Sequence, residues 1–299
     1  MNRKNYRPEP RKPDHVEVFH PEADAELLPY LLQVLAPRSH TAVKRIMQRQ
    51  HVQVNGKTVT QYNAPLRVGD ELVVNFTRPF VTFQNRMVNL LYEDDDLLVI
   101  EKKSGLLSVA ARGNDEYTAQ GIVERYIRAK YGYGHAYIVH RLDQYTSGIL
   151  IFAKRPEVQG LLRDAWATYV IERRYMAVVE GCPEPEEDEI RSYLMENDAM
   201  FVRSTRIPEE GKLAVTRYRV VRSAGGYSLV DVLILTGRKN QIRVHLSERG
   251  CPVAGDFKYR AQTNPWGRLM LHNSVLQFVH PISRRRMRFE LPMPKVFEI

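Results

Sequence analysis

Cysteine is scarce: the 299 residues hold two, Cys182 and Cys251, far apart and in no CxxC spacing. That excludes a disulfide framework and a thiolate zinc site, and leaves two ordinary reduced thiols. Long apolar runs are missing too. The opening MNRKNYRPEPRKPDH is basic and proline-rich without an apolar core, and no later stretch approaches membrane-spanning length. Neither a secretory signal nor a membrane contact is therefore expected, and the protein is placed in the cytoplasm. No GxGxxG follows a strand and no GxxxxGK(S/T) occurs, so no nucleotide cofactor, and no other cofactor, is expected. His135, His140 and Asp143, or His245 with Asp256, lack a familiar zinc spacing, so no metal is expected either. Ser147 lacks the flanking glycine of a GxSxG nucleophile elbow, which removes support for a serine hydrolase.

Positive charge is what the chain has in excess: the formal net charge is +9 and the sequence pI is about 9.5. Such a balance favours an anionic partner, nucleic acid above all, and says nothing about fold. The length suits two domains, and 43% hydrophobic residues can build a real core.

Residues 1–24 read as a basic mobile tail. Residues 25–76 then form a compact pattern: EADAELLPYLLQVLAP has helical spacing up to Pro37, and SHTAVKRIMQRQ is a second helix capped by Ser39, with Lys44, Arg45 and Arg49 off its apolar stripe. HVQVNGKTV is a hairpin turning on Asn55-Gly56, and LRVGDELVVNF reads as strand, turn and strand. Residues 77–88 have no clear period and are taken as a linker. From 89 to 299 short apolar runs alternate with helices without a steady βαβ repeat, so a large α+β domain with a mainly antiparallel sheet is expected. Within it, RPEVQGLLRDAWATYVIE reads as helix after Pro156, and LAVTRYRVVRSAGGYSLVDVLIL as a hairpin turning on Gly225-Gly226.

Residues 140–154, HRLDQYTSGILIFAK, set Asp143 in a polar loop just before an apolar strand. An Asp there is either a turn residue tied to its own backbone or a carboxylate held at a strand end for chemistry. Arg243, in a helix where Ile242 and Leu246 lie one turn apart, is the guanidinium that could keep such a carboxylate ionised and oriented. A structural ion pair explains the same two residues equally well.

Two resemblances go further. The order helix, basic helix, Asn-Gly hairpin and Val-Gly-Asp turn resembles the small RNA-binding module, called alpha-L, first recognised in a small-subunit ribosomal protein. HRLDQYTSG resembles the HRLDxxTSG signature of the RluA-type family of RNA pseudouridine synthases. ERRYMAVVEG, LTGRKNQIRVHLSERGCPVAGDFKY and GRLMLHNSVLQFVHP are similar to that family's later motifs, in the same order. The resemblance implies an isomerase that converts uridine to pseudouridine in structured RNA, most readily large-subunit ribosomal RNA, with transfer RNA open. It implies Asp143, Tyr175 and Arg243 as the catalytic set. Arg141, His140, Arg238 and Gln241, with Lys44, Arg45 and Arg49 of the small module, are the expected RNA contacts, and a monomer is expected. Asn240 stands where the family usually has His, which leaves that position a helix-capping role and removes an ionisable one. The competing expectation is an RNA-binding or ribosome-assembly factor on the same fold without the reaction.

Overall fold

The computed structural model describes residues 14–110 and 117–299. The chain divides into two units, one running to Phe83 with Tyr126–Tyr133 added, the other made of Gln84–Arg125 and Gly134–Ile299.

The first unit holds strands β1 (Val16–Phe19) and β2 (Ala25–Glu26), helices α1 (Leu27–Val34) and α2 (His40–Gln48), and strands β3 (Val52–Val54), β4 (Lys57–Thr58), β5 (Pro65–Leu66) and β6 (Leu72–Asn75). Ser39 caps α2, its hydroxyl accepting the Ala42 N–H at 3.3 Å. One face of each helix is closed off: Leu27 and Leu31 of α1 meet Val43 and Met47 of α2 over Val52, Leu72 and Val74. Asn55 and Gly56 take φ of 50° and 74°, the left-handed pair that a two-residue hairpin needs. Asp70 ties that turn to the Val-Gly-Asp turn, accepting from Asn55 Nδ2 and the Arg67 N–H, both at 2.8 Å.

One expectation is corrected here. Residues 16–19, assigned to the tail, form β1, which pairs antiparallel with β6; the rest of that tail, 1–13, lies outside the described residues. LRVGDELVVNF forms the expected strand, turn and strand, but its two strands do not pair with each other. β5 pairs with β2, whereas β6 lies between β1 and β3, because Leu72 and Val74 are needed in the core there.

The second part of the chain forms β7 (Val88–Glu93), β8 (Leu97–Lys102), α3 (Ala119–Tyr131), β9 (Tyr137–Ile138), β10 (Ser147–Ala153), α4 (Pro156–Asp164), α5 (Trp166–Tyr169), β11 (Val170–Glu180), β12 (Glu187–Glu196), β13 (Val202–Thr205), β14 (Lys212–Ala224), β15 (Tyr227–Ile234), α6 (Gln241–Glu248), β16 (Leu271–Val279) and β17 (Arg286–Glu290). Eleven strands make one sheet ordered β13-β12-β14-β15-β11-β16-β10-β8-β7, with β17 on β16 and β9 on β10. Among the described strand pairs all are antiparallel except β10 with β16, so the α+β, mainly antiparallel expectation holds. The Gly225-Gly226 hairpin forms as expected, with φ of 59° and 83°.

The helix expected over RPEVQGLLRDAWATYVIE is shorter than its sequence suggested. It stops at Asp164, resumes for Trp166–Tyr169, and gives way to β11 at Val170, which pairs with Phe278. β-branched Val170 and Ile171 side with the sheet once β16 is available. All seven residues of β10 are buried, and its Ile149 and Ile151 pack with Leu97, Val99, Leu276 and Phe278.

Candidate active site

Asp143 lies in the loop between β9 and β10, and that loop is held by its backbone. Ser108 accepts the Leu142 N–H at 3.1 Å and donates to the Leu142 carbonyl at 2.7 Å. The Thr146 N–H closes a turn on the Asp143 carbonyl at 3.1 Å. Lys102, the last residue of β8, is fully buried and donates to the carbonyls of Lys103, Leu106 and Gln144 at 3.1, 2.8 and 2.9 Å. Burial pushes its ammonium down to about 7, against the upward pull of the Asp143 charge and with a further downward push from Arg268. Residues 102–108 thus grip residues 142–146 from both ends.

Arg243 projects from α6 to the same place. Its Nη1 donates to Asp143 Oδ2 at 2.9 Å, while Nε and Nη2 take Asp256 in a two-point clamp at 2.6 and 2.8 Å. The two acids differ in surroundings: the Asp256 side chain is 1% exposed, that of Asp143 32%. Burial opposes the Arg243 charge, but Asp256 and then Asp143 outweigh it and raise its pKa. The second oxygen of Asp143 takes no hydrogen bond among the described residues, so one oxygen is anchored and the other is available.

α6 is aimed by Gln241 and His245, both buried. Gln241 accepts from Thr236 Oγ1 and the Arg238 N–H and donates to the Val215 carbonyl and Thr216 Oγ1, all within 3.0 Å. That occupies both ends of its amide, so the geometry gives Gln241 a structural task in place of the expected RNA contact. Asn240 does not cap α6 with its side chain; at φ of 53° it donates to Tyr259 Oη at 2.8 Å and accepts from Arg243 Nη1 at 3.1 Å. A neutral amide can do both, which is why His is not required there.

Tyr175 sits on β11 at an irregularity in the pairing with β16, falling between Arg174 and Tyr175, a feature that re-aims a side chain. It is 8% exposed, and its hydroxyl makes no hydrogen bond among the described residues. Burial raises its pKa, opposed by Arg173 and reinforced by Asp143, so the phenol stays protonated at neutral pH. His140 lies against Trp166 at 5.0 Å and accepts the Ile151 N–H. Burial, with Arg173 nearby, holds its pKa down at about 3, so the ring is neutral at physiological pH. Arg141 is exposed, with no hydrogen bond or ion pair among the described residues. Arg238 is exposed and donates through Nε to the Leu213 carbonyl at 2.8 Å. In the small unit Lys44 lies 4.9 Å from the Tyr62 ring centre, and Arg45 and Arg49 are exposed.

Sequence reasoning missed Lys102, Arg173 and Asp256 as partners of the site. Asp256 stood in plain view in CPVAGD, thirteen residues after Arg243, but only the return of the chain after α6 brings it back. For cations, the described residues offer one convergent group, Asp94, Asp96 and His280. Each is already engaged: Asp94 accepts from Tyr92, His280 and two backbone N–H groups, and Asp96 pairs with Arg155. A groove of about 440 Å³ lined by Glu196, Glu210, Lys212, Arg238 and Lys239 includes none of Asp143, Tyr175 and Arg243.

The large mixed sheet thus carries a carboxylate clamped by an arginine, with a buried tyrosine within reach of its charge. Comparison with known proteins gives the class. The family described as RNA pseudouridylate synthase matches residues 96–248. The chain is 33% identical to an uncharacterized RNA pseudouridine synthase, YjbO, of Bacillus subtilis (strain 168), across 82% of this chain and 87% of that one. It is 31% identical to ribosomal large subunit pseudouridine synthase D of Zymomonas mobilis, across 72% of each, and 28% identical to ribosomal large subunit pseudouridine synthase C of Rickettsia bellii, across 90% and 94%. The solved human RNA pseudouridylate synthase domain containing 4 shares the fold, with a TM-score of 0.57 at 23% identity over 70% of this chain and 90% of that one. The chain belongs to the RNA pseudouridine synthases of the RluA type, enzymes that isomerise uridine in RNA to pseudouridine. No helix among the described residues is long and apolar enough to cross a membrane.

Proposed function

We propose that the RNA is large-subunit ribosomal RNA and that Asp143, Arg243 and Tyr175 carry the reaction. The relatives named ribosomal large subunit synthases support the first part. One observation carries the second: Arg243 anchors a single oxygen of Asp143, whose side chain remains a third exposed, and the other oxygen takes no hydrogen bond among the described residues. In the reaction the bond between uracil N1 and ribose C1′ breaks, the base turns, C5 bonds to C1′, and the C5 proton leaves while N1 gains one. The free Asp143 oxygen either attacks C1′ or removes the neighbouring ribose proton; both begin from an ionised, oriented carboxylate, which Arg243 maintains. Tyr175, protonated and without a hydrogen bond among the described residues, presents a flat ring for the base. A base within a helix must first be extruded, which costs a few kcal/mol and least in a loop. Arg141, two residues before Asp143 and exposed, is the candidate to fill the vacated stack or to hold a flanking phosphate.

The reading includes a monomer acting in the cytoplasm without nucleotide cofactor, with residues 25–76 as an RNA anchor, 77–88 as linker and 89–299 as the catalytic domain. Tritium release from ribosomal RNA labelled at uridine C5 tests it. The wild type releases tritium in chelator with nothing added, and Asp143→Asn falls to background while still binding RNA. Tight binding by the wild type with no release would instead make the protein an RNA-binding or assembly factor.

A further inference from the structure

Among the described residues Arg173 is a cation without a paired anion. Its neighbour Arg174 is paired twice, with Glu172 and Asp231. Arg173, on the other face of β11, has no ion pair or hydrogen bond among the described residues. Its guanidinium lies over the Trp166 ring at 5.6 Å and against Gly237, where an added Cβ would come within 2.6 Å of Nη1. Burial lowers its pKa, and the approaching charge of Arg238 lowers it further. Two guanidiniums that repel each other, one of them largely desolvated, raise the energy of the free protein by an amount that an arriving anion returns.

We propose that Arg173 and Arg238 form a clamp for one backbone phosphodiester of the RNA, a nucleotide away from the target uridine. This rests on the reading of the protein as an RNA-modifying enzyme. Arg173 and Tyr175 lie two residues apart on β11, whereas Asp143 comes from the loop between β9 and β10, so the clamp is carried by the strand that presents the ring and not by the loop that presents the carboxylate. That separation favours a flanking phosphate over the uracil itself. Gly237 fits the assignment: the missing side chain lets the backbone between the two arginines approach both the guanidinium and a ligand. Trp166 offers the guanidinium a cation–π contact at 5.6 Å, which uses none of its N–H donors and leaves them for the fork that matches a phosphate.

The test compares the wild type, Arg173→Met and Arg173→Lys on unmodified large-subunit ribosomal RNA transcript, by filter binding across a salt series, by tritium release and by thermal unfolding. Arg173→Met is expected to bind about tenfold more weakly at 0.1 M salt and to flatten the plot of log K against log salt by about one unit. Its loss in kcat/KM falls mainly on KM. Its unfolding midpoint is equal to or above that of the wild type, because no partner is left unpaired. Arg173→Lys recovers the slope but only part of the affinity, having the charge without the fork. An unchanged slope, a loss confined to kcat, or a lowered midpoint would each overturn the clamp. Tritium release by the wild type decides the underlying reading separately, since binding and its salt slope are measured without turnover.

Discussion

At the scale of single residues, Arg243 holds two acids that do different work. Asp256 is buried and gives both oxygens to the guanidinium; Asp143 is a third exposed and gives one. Asp256→Asn leaves a buried charge short of its partner, and such a loss costs about 3 kcal/mol. Asp143→Asn opens onto solvent and is expected to cost less than about 1 kcal/mol. Urea unfolding monitored by far-ultraviolet circular dichroism checks the contrast, and equal midpoints for the two variants would contradict it. Tritium release should also fall in Asp256→Asn, because the clamp that aims Arg243 at Asp143 is gone. The same contrast explains what could be read in advance. Asp143, Tyr175 and Arg243 have roles that their motifs imply, whereas Asp256, though inside the third motif, and Lys102 matter through partners that only the folded chain supplies. Gln241 and His140 were legible as polar residues near the site, but burial turned one into a bracket for α6 and the other into a neutral ring.

Among the elements, the joint between β10 and β16 is the tightest constraint near the site. Ser147 and Gly148 lie beside His272 and Asn273 in the described sheet's parallel pairing, just after the Asp143 loop. Gly148 has φ of 127°, and a Cβ there would sit 2.3 Å from the Asn273 carbonyl oxygen. Gly148→Ala therefore meets both a forbidden backbone conformation and a backbone clash, and a loss above about 4 kcal/mol is expected. Gly225→Ala is the control: φ is 59°, nothing lies within 4 Å, and the cost is about 1 kcal/mol. Comparable midpoints in thermal unfolding would show that the strands can separate at Gly148 and would remove the reason for the glycine of the TSG motif. The two hairpins at Asn55-Gly56 and Gly225-Gly226 could be read because their φ requirement is local. The partner of β5 and the early end of α4 could not, since each is decided by a strand distant in sequence.

For the molecule as a whole, the question is where its net charge of +9 acts. Much of the positive charge of the larger unit is tied up: Arg243, Arg174 and Arg288 face acids, and Lys102 is sealed among carbonyls. In residues 25–76 the opposite holds. Six Lys and Arg stand against three Asp and Glu, and one acid, Asp70, is spent on holding two turns together. Lys44 leans on Tyr62 while Arg45 of α2 and Arg49 at its C-terminal cap are exposed, so α2 and its cap present charge that the fold does not use. If that charge meets RNA phosphates, each contact releases counterions and adds about 0.7 to 0.9 to the slope of log K against log salt. Replacing Lys44, Arg45 and Arg49 together by Ala should then flatten the slope by about two units and raise KM. The effect should be nearly independent of RNA sequence, because phosphates carry none. Parallel salt plots for the triple variant and the wild type would assign the unpaired charge of α2 to solubility alone. The recognition of RNA would then have to come from the arginines around Asp143.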